Sequence, residues 1–414
     1  MNLKSNILSY LNKRGFLHQI TDPNRLDKIF AKEKINFYIG FDLTAPSLHI
    51  GSLLPLMLVR YLQNNGHQPI ILLGSATTKI GDPSGKDQTR KMLTPELINN
   101  NKNSIINIFR KFLNFEADNK PIIVDNDNWL KDYNYIDFLR EVGSKFSVNQ
   151  MLRYESVKQR LDREQNLSFI EFNYMLLQAF DFVYLKNNYN VSLQIGGSDQ
   201  WGNIINGIEL YRKTNPKQEE LIGLTTPLLT DDNGKKMGKT ESGAIWLDEN
   251  LFSAYDYFQF FRNIADNKVI SFLNLFTEIS EDKISSLAKL EGKDINEAKE
   301  ILAYEATKIC HGEDAAKKAI ETAKKVFVSK EVGADLPIYE LKKGEEISLS
   351  QIALNLKIVQ SGGEAKRVIK GGGCKINEEK ITDPFHKINS TSFSSANDLK
   401  ISLGKKKYFI VRKI

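Results

Sequence analysis

The sequence predicts an α/β protein with a parallel sheet, followed by a helical domain and a small α+β unit. Three short apolar runs, at 35–41, 69–74 and 191–195, each end in glycine and polar residues and then enter a stretch of helical character. Strands that alternate with helices pair in parallel within an α/β layer. Ligands of such sheets bind at the carboxyl ends of the strands. We therefore expect the functional residues where these runs end.

The 414 residues are too many for one typical core and predict roughly two to four domains. The segment 252–328 is first aromatic and periodic and then rich in Ala, Lys and Glu, which predicts helices. Gly333, Pro337 and Gly344 predict a linker after it. We expect the parallel-sheet domain at 1–225, a connector at 226–250, the helical domain at 251–330, the linker at 331–348 and the α+β unit at 349–414.

The α+β unit opens with a predicted helix at 350–359, which Ser348 or Ser350 can cap. A glycine-containing turn and a second predicted helix at 364–370 follow. Strands are predicted near 375–376 and 408–411.

Composition excludes several classes of protein. With 41% hydrophobic and 26% charged residues the chain is typical of globular proteins, and no run approaches the ~18 apolar residues of a membrane span. Residues 1–14 lack the apolar core of a secretory signal. The two cysteines, Cys310 and Cys374, argue against a disulfide framework and against a zinc site. We expect a cytoplasmic protein that builds no metal site of its own and does not contact membranes.

The positive charge is concentrated at one end of the chain. Residues 351–414 carry 13 Lys and Arg against 5 Asp and Glu, a net charge of +8, whereas the other 350 residues carry 44 against 46. A positive domain attracts phosphate backbones, so nucleic acid is the natural partner. A merely solubilising basic end is the alternative interpretation.

The first junction, after 35–41, suits a bound phosphate. An apolar helix is predicted to start near Gly51, and a helix N-terminus offers free N–H groups and a positive dipole. His49 adds a donor there, and Gly51 allows a ligand to approach the backbone closely. A lone loop histidine is usually structural or solvated, so this motif is weak by itself. The candidate residues are Tyr38, Gly40, Asp42, Thr44, His49 and Gly51.

The second junction, after 69–74, reads as a turn because Gly and Pro cluster there. Its functional interpretation depends on three side chains. Asp82, at a strand end, can hold an amine. Lys86 and Arg90 can reach phosphates from a mobile loop.

A third set of candidates lies on a predicted helix. Tyr174, Gln178 and Asp181 stand at i, i+4 and i+7, so they share one face. A solvent-facing polar stripe is the simpler interpretation. The flanking residues are apolar on nearly every side, however, which predicts burial, and buried polar groups require partners. A small polar ligand can supply them.

The junction after 191–195 pairs two glycines with polar residues. Gly196 and Gly197 allow a ribose or ligand backbone to come close, whereas Ser198 or Asp199 can simply cap the next helix. Gln194 and Gln200 flank the glycines.

Three lysines, Lys235, Lys236 and Lys239, lie among Gly234, Gly238 and Gly243. Lysine runs are generally solvated. The glycines predict a mobile loop, so these lysines can close over a ligand and stabilise charge that develops in a transition state.

Over essentially its whole length the chain resembles the bacterial tyrosyl-tRNA synthetases, which are class I aminoacyl-tRNA synthetases. The matching segments, in order, are 38–42, 47–51, 81–86, 174–181, 193–203 and 236–240. The last of them corresponds to the family's KMSKS loop in a KFGKT-like form, with Met237 for Phe. The resemblance implies a Rossmann-like catalytic domain that activates tyrosine with ATP and then transfers it to the 3′ end of tRNA(Tyr).

The resemblance also implies a tyrosine site. Tyr38 and Asp181 would bind the phenol hydroxyl. Asp82, Tyr174 and Gln178 would bind the α-amino group. The whole tyrosine site would comprise Tyr38, Asp82, Tyr174, Gln178, Asp181 and Gln194.

The implied ATP site lies beside it, and Mg²⁺ is expected with the nucleotide. Thr44 and His49 would face the phosphates. Lys236 and Lys239 would stabilise the departing pyrophosphate. Lys86 and Arg90 would assist from their loop. The residues implied near ATP are Gly40, Asp42, His49, Gly51, Gly196, Gly197, Asp199, Gln200 and Lys239.

Beyond the active site, the resemblance implies a homodimer with an interface at roughly 125–165, an anticodon-arm domain at 252–328 and an S4-type RNA-binding domain at the C-terminus. The chain departs from the family where the HIGH signature ends in Ser52. It departs again at Thr78 and Lys79, where a small or apolar pair is more usual.

Two other functions fit parts of the pattern. A tryptophanyl-tRNA synthetase shares the fold and the ATP motifs, but Tyr38 and Asp181 suit a phenol better. A non-catalytic RNA-binding protein on a synthetase scaffold would not need His49, Lys236 and Lys239. A basic-tailed α/β protein without this activity ranks third.

Overall fold

The computed structural model describes residues 3–83, 93–230, 237, 239–240, 243–327, 336–377, 379–393, 397–404 and 407–414. The chain divides into two compact units. The first consists of Met1–Gly238, Ile245–Leu251 and Ile270–Ser280. The second consists of Lys239–Ala244, Phe252–Val269 and Glu281–Ile414.

The strands are short and belong to four separate sheets. In chain order they are β1 (Gln19–Ile20), β2 (Asn36–Asp42), β3 (Gln68–Gly74), β4 (Ile122–Asp125), β5 (Val191–Gly197), β6 (Ile222–Thr226), β7 (Lys239–Thr240), β8 (Gly243–Ala244), β9 (Ile338–Leu341), β10 (Ile347–Ser348), β11 (Cys374–Ile376), β12 (Glu379–Ile381), β13 (Lys387–Ile388), β14 (Asp398–Leu403) and β15 (Lys407–Lys413).

Helices follow most strands of the first unit and dominate the start of the second. They are α1 (Asn6–Arg14), α2 (Pro23–Lys32), α3 (Ile50–Asn64), α4 (Ser75–Ile80), α5 (Pro95–Phe112), α6 (Asp127–Leu130), α7 (Tyr135–Glu141), α8 (Val148–Met151), α9 (Glu155–Asp162), α10 (Phe169–Tyr189), α11 (Trp201–Thr214), α12 (Ala254–Arg262), α13 (Val269–Phe276), α14 (Glu281–Leu287), α15 (Ile295–His311), α16 (Glu313–Phe327), α17 (Leu349–Asn355) and α18 (Gly362–Lys370). Within the described residues, no helix has the length and apolar character needed to cross a membrane.

The first unit is built on a six-stranded sheet in the order β1-β6-β5-β2-β3-β4. Strands β2 to β6 pair in parallel, and only β1 runs antiparallel, against β6. Buried residues fill most of β3 and β5 and the stretch 37–39 of β2, as expected for a sheet covered on both faces. The predicted parallel α/β domain is therefore confirmed.

Strand order places the functional residues at one crevice. From β2 the chain continues to β3 on one side, whereas β5 and β6 lie on the other. The carboxyl ends of β2 and β5 therefore border a topological switch point, where α/β sheets bind ligands. Helix α3 follows β2, and α11 follows β5, so both helix N-termini begin near this edge.

Two long helices, α10 and α11, pack closely against each other on one face of the sheet. The close approach depends on Gly207 in α11. A Cβ at this position would lie 2.8 Å from Cδ1 and 3.0 Å from Cβ of the buried Phe182 in α10. Because Phe182 Cβ is fixed to the helix backbone, a larger residue at position 207 must push the helices apart.

The segment 270–280 differs from the predicted domain boundary, because it belongs to the first unit and not to the helical domain. The buried guanidinium of Arg14 accounts for this. It donates to the carbonyl oxygens of Asn274 at 3.2 Å and Ile279 at 2.6 Å, at the end of α13 where helix carbonyls have no partner of their own. Arg60 also binds Glu278 at 2.6 Å.

The second unit contains a five-stranded sheet in the order β12-β11-β14-β15-β9. Strand β9 lies within the segment predicted as a linker, yet it pairs in parallel with β15 and closes the edge of this sheet. Leu341, the last residue of β9, packs into the apolar core beside this sheet. Helices α17 and α18 match the predicted pair, and Ser348 caps α17 by accepting from the Gln351 N–H.

The packing of α10 on α11 generates a prediction about stability. Gly207→Ala should lower the free energy of unfolding by about 1–3 kcal/mol through overpacking. Gly202→Ala on the same helix is the control, because a Cβ there meets only Tyr154 at 3.9 Å. It should be neutral or stabilising, since Ala is the better helix former. Urea unfolding of both variants measures the difference, and equal stability of the two would contradict this account of the helix contact.

Candidate active site

Helix α10 brings the three predicted polar residues to one face, as its periodicity indicated. The helix starts at a capping box in which the Ser168 side chain and Glu171 satisfy each other's backbone N–H groups. Tyr174 and Asp181 are buried, and Gln178 is half-buried. Each of the three has a polar partner from another element, so the face is not a solvent stripe.

The Asp181 carboxylate is only 1% exposed and is held by two donors. Asn126 Nδ2 donates to Oδ2 at 3.0 Å, and Trp129 Nε1 donates to Oδ1 at 2.8 Å. Asn126 directly follows β4, and Trp129 lies on α6, the next helix. Neither residue was among the site residues predicted from the sequence. Their position at the carboxyl end of a parallel strand was the signal that could have found them.

Burial raises the pKa of Asp181 to about 7, against the lowering effect of these two hydrogen bonds. The nearby carboxylates of Asp42 and Asp125 raise it further. A carboxyl that is poised near neutrality can accept a hydrogen bond from a ligand hydroxyl when it is ionised.

Tyr38, on β2, points its buried ring into the same region, where it contacts the Phe182 ring at a centroid distance of 5.2 Å. Burial and the charge of Asp181 raise the pKa of its hydroxyl well above the usual value. Among the described residues no atom forms a hydrogen bond with this hydroxyl. A buried hydroxyl without a protein partner fits a polar ligand group.

A chain of hydrogen bonds connects Asp181 to the other end of the crevice. Asn126 Nδ2 donates to Thr77 Oγ1 at 3.1 Å, and Thr77 Oγ1 donates to Asp42 Oδ1 at 2.8 Å. The Tyr174 hydroxyl donates to Asp42 Oδ2 at 3.0 Å. The structure thus places Asp42, which the resemblance assigned to ATP, against a residue of the expected tyrosine site.

Gly74, the last residue of β3, leaves the space for this chain. A Cβ at Gly74 would lie 2.4 Å from both Asp42 Oδ1 and Thr77 Oγ1. The two side chains can meet only because this position carries no side chain.

Gln200 connects two further members of the site. Its Nε2 donates to Asp82 Oδ2 at 2.7 Å, and its Oε1 accepts from Gln178 Nε2 at 3.2 Å and from Asn203 Nδ2 at 3.2 Å. The Asp82 carboxylate is buried, and Gln200 connects it to Gln178. The buried Gln194 Oε1 on β5 has no hydrogen-bond partner within the described part of the chain.

The second junction is not the plain turn that the sequence predicted. Residues Ser75–Ile80 form helix α4, and the turn comes only at Gly81, with φ +92°. The helix is anchored because the Ser75 hydroxyl donates to Asp125 Oδ2 at 2.7 Å. Lys86 and Arg90 lie outside the described residues.

His49 caps α3. Its Nδ1 accepts from the Gly51 N–H at 2.9 Å, so in the neutral ring Nε2 carries the proton and is the donor. A Cβ at Gly51 would lie 2.7 Å from His49 Cε1, which explains why glycine follows the cap. Ser52 takes part through its N–H, which donates to the His49 carbonyl at 2.8 Å. Thr44 is exposed between β2 and this cap.

The glycines of the β5 junction lie where the sequence predicted. A Cβ at Gly196 would meet Gln200 Cβ at 2.9 Å, and a Cβ at Gly197 would meet Asp199 Oδ1 at 2.7 Å. The alternative role of Ser198 or Asp199 as a helix cap is not supported, because Gln200 is the residue that precedes α11 and no side chain accepts from the first N–H groups of the helix. Gly40 lies exposed near the end of β2.

The lysine loop is only partly described. Lys236 lies outside the described residues. Lys239 is in β7, where its backbone pairs with Ala244, and belongs to the second compact unit. Among the described residues, no group of three or more His, Cys, Asp or Glu side chains is placed to hold a metal ion.

Comparison with known proteins decides the family. Residues 31–328 match the model of the class I tRNA synthetases for tryptophan and tyrosine, and residues 329–411 match the C-terminal domain of tyrosine–tRNA ligases. The tyrosine–tRNA ligase of Zymomonas mobilis is 51% identical over 410 residues, which cover 99% of this chain and 98% of that protein. The chain belongs to the class I tyrosine–tRNA ligases.

Further relatives agree with this assignment. The tyrosine–tRNA ligase of Wolbachia pipientis is 50% identical over 419 residues, covering 99% of this chain and 98% of that one. The crystal structure of a C-terminally truncated mitochondrial tyrosyl-tRNA synthetase from Aspergillus nidulans covers 78% of this chain and 94% of its own, with a TM-score of 0.70 and 30% identity. As a tyrosine–tRNA ligase, this protein takes tyrosine, ATP and tRNA as substrates.

The raised pKa of Asp181 generates a prediction about stability. In the unfolded chain this carboxyl ionises near pH 4, but in the folded protein only near pH 7. Ionising it therefore costs the folded state stability as pH rises through this window, by at most about 4 kcal/mol, and the cost is complete above pH 7. Asp181→Asn cannot ionise and should become more stable relative to the unsubstituted protein over the same window.

Urea-unfolding free energies of both proteins at pH 4, 5.5, 7 and 8 measure this difference. Asp118→Asn, which removes an exposed carboxylate, is the control. A difference between Asp181→Asn and the unsubstituted protein that does not change with pH would contradict the raised pKa.

Proposed function

We propose that the phenol of tyrosine binds between Tyr38 and Asp181, and that this pair carries the amino-acid specificity. A phenol hydroxyl both donates and accepts, so it can donate to the Asp181 carboxylate and accept from the Tyr38 hydroxyl. Both partners are buried, and an analogue without the hydroxyl would leave the Tyr38 hydroxyl without a hydrogen-bond partner. The buried, unpartnered Tyr38 hydroxyl is the observation that carries this proposal.

The same pair argues against tryptophan as the substrate. An indole N–H is a single donor, so it could bind either the Asp181 carboxylate or the Tyr38 oxygen, and it could not accept a hydrogen bond from the Tyr38 hydroxyl. The phenol is the better match for two buried oxygen atoms of this kind.

The α-amino group of tyrosine is assigned to Asp82, Tyr174 and Gln178. Asp82 supplies negative charge for the ammonium, and the Tyr174 hydroxyl is oriented by Asp42. Gln200 forms hydrogen bonds with both Asp82 and Gln178 and so fixes their positions relative to each other. Gln194, on β5, completes the proposed tyrosine site with the buried oxygen of its side-chain amide.

ATP is assigned to the neighbouring edge of the sheet. His49 Nε2 and Thr44 would contact the phosphates at the start of α3, where the helix N-terminus favours an anion. Lys86, Arg90, Lys236 and Lys239 would neutralise the departing pyrophosphate, and Mg²⁺ would enter as the counter-ion of ATP. The rest of the ATP site is assigned to Gly40, Asp42, Gly51, Gly196, Gly197, Asp199 and Gln200. Two of these residues also contact the tyrosine site, since Asp42 accepts from Tyr174 and Gln200 donates to Asp82.

The first step then needs no protein nucleophile. The tyrosine carboxylate attacks the α-phosphate, the bond to the β-phosphate oxygen breaks, and pyrophosphate leaves with its electron pair. A terminal ribose hydroxyl of tRNA(Tyr) next attacks the tyrosyl carbonyl and releases AMP. Positioning and electrostatic stabilisation carry both steps. We infer that the enzyme serves protein synthesis in the cytoplasm.

Amino-acid-dependent ATP–pyrophosphate exchange with tyrosine, tryptophan and phenylalanine tests this assignment. Only tyrosine should support rapid exchange. Tyr38→Phe removes one neutral hydrogen bond to the phenol, so the ratio of tyrosine to phenylalanine activation should fall by roughly 2- to 10-fold. Tyr304→Phe, in the second unit, is the control substitution and should leave this ratio unchanged.

An unchanged ratio in Tyr38→Phe would refute the role of Tyr38. Faster exchange with tryptophan would favour the tryptophanyl alternative. Absence of exchange with every amino acid would favour a non-catalytic RNA-binding protein.

We also propose that the enzyme is a homodimer whose interface includes the segment 125–165 and the start of α10. Several large apolar side chains between positions 135 and 170 are exposed on the single chain, and burial against a second copy would remove them from water. These side chains are Tyr135, Ile136, Val148, Leu152, Leu161, Phe169 and Ile170.

Sedimentation should therefore give twice the chain mass of 47.2 kDa. Ile136→Glu should shift the enzyme towards the monomer, because it places a charge in the apolar contact. Leu251→Glu, at an exposed apolar residue outside this segment, should leave the mass unchanged. A purely monomeric unsubstituted enzyme would contradict the proposal.

A further inference from the structure

One aromatic ring in the C-terminal domain, that of Phe385, is largely exposed to solvent. Phe385 is 67% exposed, although the domain has an apolar core that accepts other aromatic side chains such as Phe409. Large apolar side chains are normally placed in such a core. A single exposed apolar side chain is common on protein surfaces, so it is the surroundings of Phe385 that distinguish it.

The loop that carries Phe385 is held in a defined conformation. The Phe385 N–H donates to Asp383 Oδ1 at 2.9 Å, and the His386 N–H donates to the Asp383 carbonyl at 3.2 Å. The His386 carbonyl accepts from the Leu349 N–H at 2.9 Å, at the start of α17. Strand β13 follows at once and pairs with β10. The ring is thus presented by a hydrogen-bonded turn.

A cation lies over one face of the ring. Lys366 Nζ, from helix α18, is 4.7 Å from the centroid of Phe385. This geometry is that of a cation–π contact and leaves the rest of the ring open. Arg367 and Lys370 are exposed on the same helix. The acidic residue of α18, Glu364, is neutralised by Lys407 at 3.1 Å.

An exposed aromatic ring with a lysine over one face, on a domain of net positive charge, has the features of a surface that binds unpaired nucleotides. Bases stack on aromatic rings, while lysine and arginine contact the phosphates. The net charge of +8 over the last 64 residues favours a polyanion as the partner. An acidic peptide would use the cations but would not require the open ring face.

We propose that Phe385 is a stacking platform for an unpaired base of the tRNA substrate, with Lys366 covering the other ring face and contacting the adjacent phosphate. The proposal rests on tRNA being the acceptor of the tyrosyl group. The base must be unpaired because the faces of bases within a duplex are already covered by their neighbours. Phe385 would therefore contribute to tRNA affinity and not to tyrosine activation.

The test measures binding of a tRNA(Tyr) transcript to the full-length enzyme at several salt concentrations. Phe385→Ala should weaken binding by roughly 10-fold, the usual effect of losing one base–aromatic stack. Phe385→Leu should weaken tRNA binding to a similar extent, because it keeps an apolar side chain but has no ring. Phe385→Trp keeps a ring and should bind tRNA about as well as the unsubstituted enzyme. Ile414→Ala, at another exposed apolar residue of the domain, is the matched control and should bind normally.

The dependence of binding on salt separates the two residues. Lys366→Gln should lower the slope of log affinity against log salt by about one, because one phosphate contact is lost. Phe385→Ala should leave that slope unchanged. Tyrosine-dependent pyrophosphate exchange should be normal in every variant, since none of these residues is in the active site.

Unchanged tRNA affinity in Phe385→Ala would overturn the proposal, and so would full affinity in Phe385→Leu. These outcomes are independent of the activation assay. Loss of tyrosine-dependent exchange in the unsubstituted enzyme would instead refute the proposed function.

Discussion

The hydrogen bonds to the buried Asp181 carboxylate are the interaction on which the rest of the active site depends. A buried carboxylate is tolerated only where donors surround it, and Asn126 and Trp129 supply them from the end of β4. Asn126 also contacts Thr77, which binds Asp42, so one amide orients both ends of the crevice. The proposed phenol and ammonium subsites are therefore parts of one connected polar network.

The parallel sheet could be predicted from the sequence because three of its strands, β2, β3 and β5, contain short apolar runs that end in glycine and polar residues. Two features of the domain organisation could not be predicted. The segment 270–280 joins the first unit through the long-range contact of Arg14 with the end of α13, which leaves no local signature. Strand β9 depends on pairing with β15, which lies far away in the sequence. Helix α4 was mistaken for a turn because Gly74 and Gly81 bracket only six residues.

For the active site, residues on one regular element could be predicted and residues joined by tertiary contact could not. Tyr174, Gln178 and Asp181 share a helical face, so their spacing was informative. Asn126 and Trp129 follow a strand of only four residues and belong to no motif that spacing alone identifies. The part of Asp42 in orienting Tyr174 was also hidden, because 132 positions separate the two residues.

The missing side chain at Gly74 has a genetic consequence. Every single-base change that alters a glycine codon yields either a stop codon or a residue with a Cβ atom. A Cβ at this position would lie 2.4 Å from both oxygen atoms of the hydrogen bond between Asp42 and Thr77, so even the smallest replacement must displace one of these side chains. Every missense change at this codon therefore moves at least one of these two side chains, however small the new residue is.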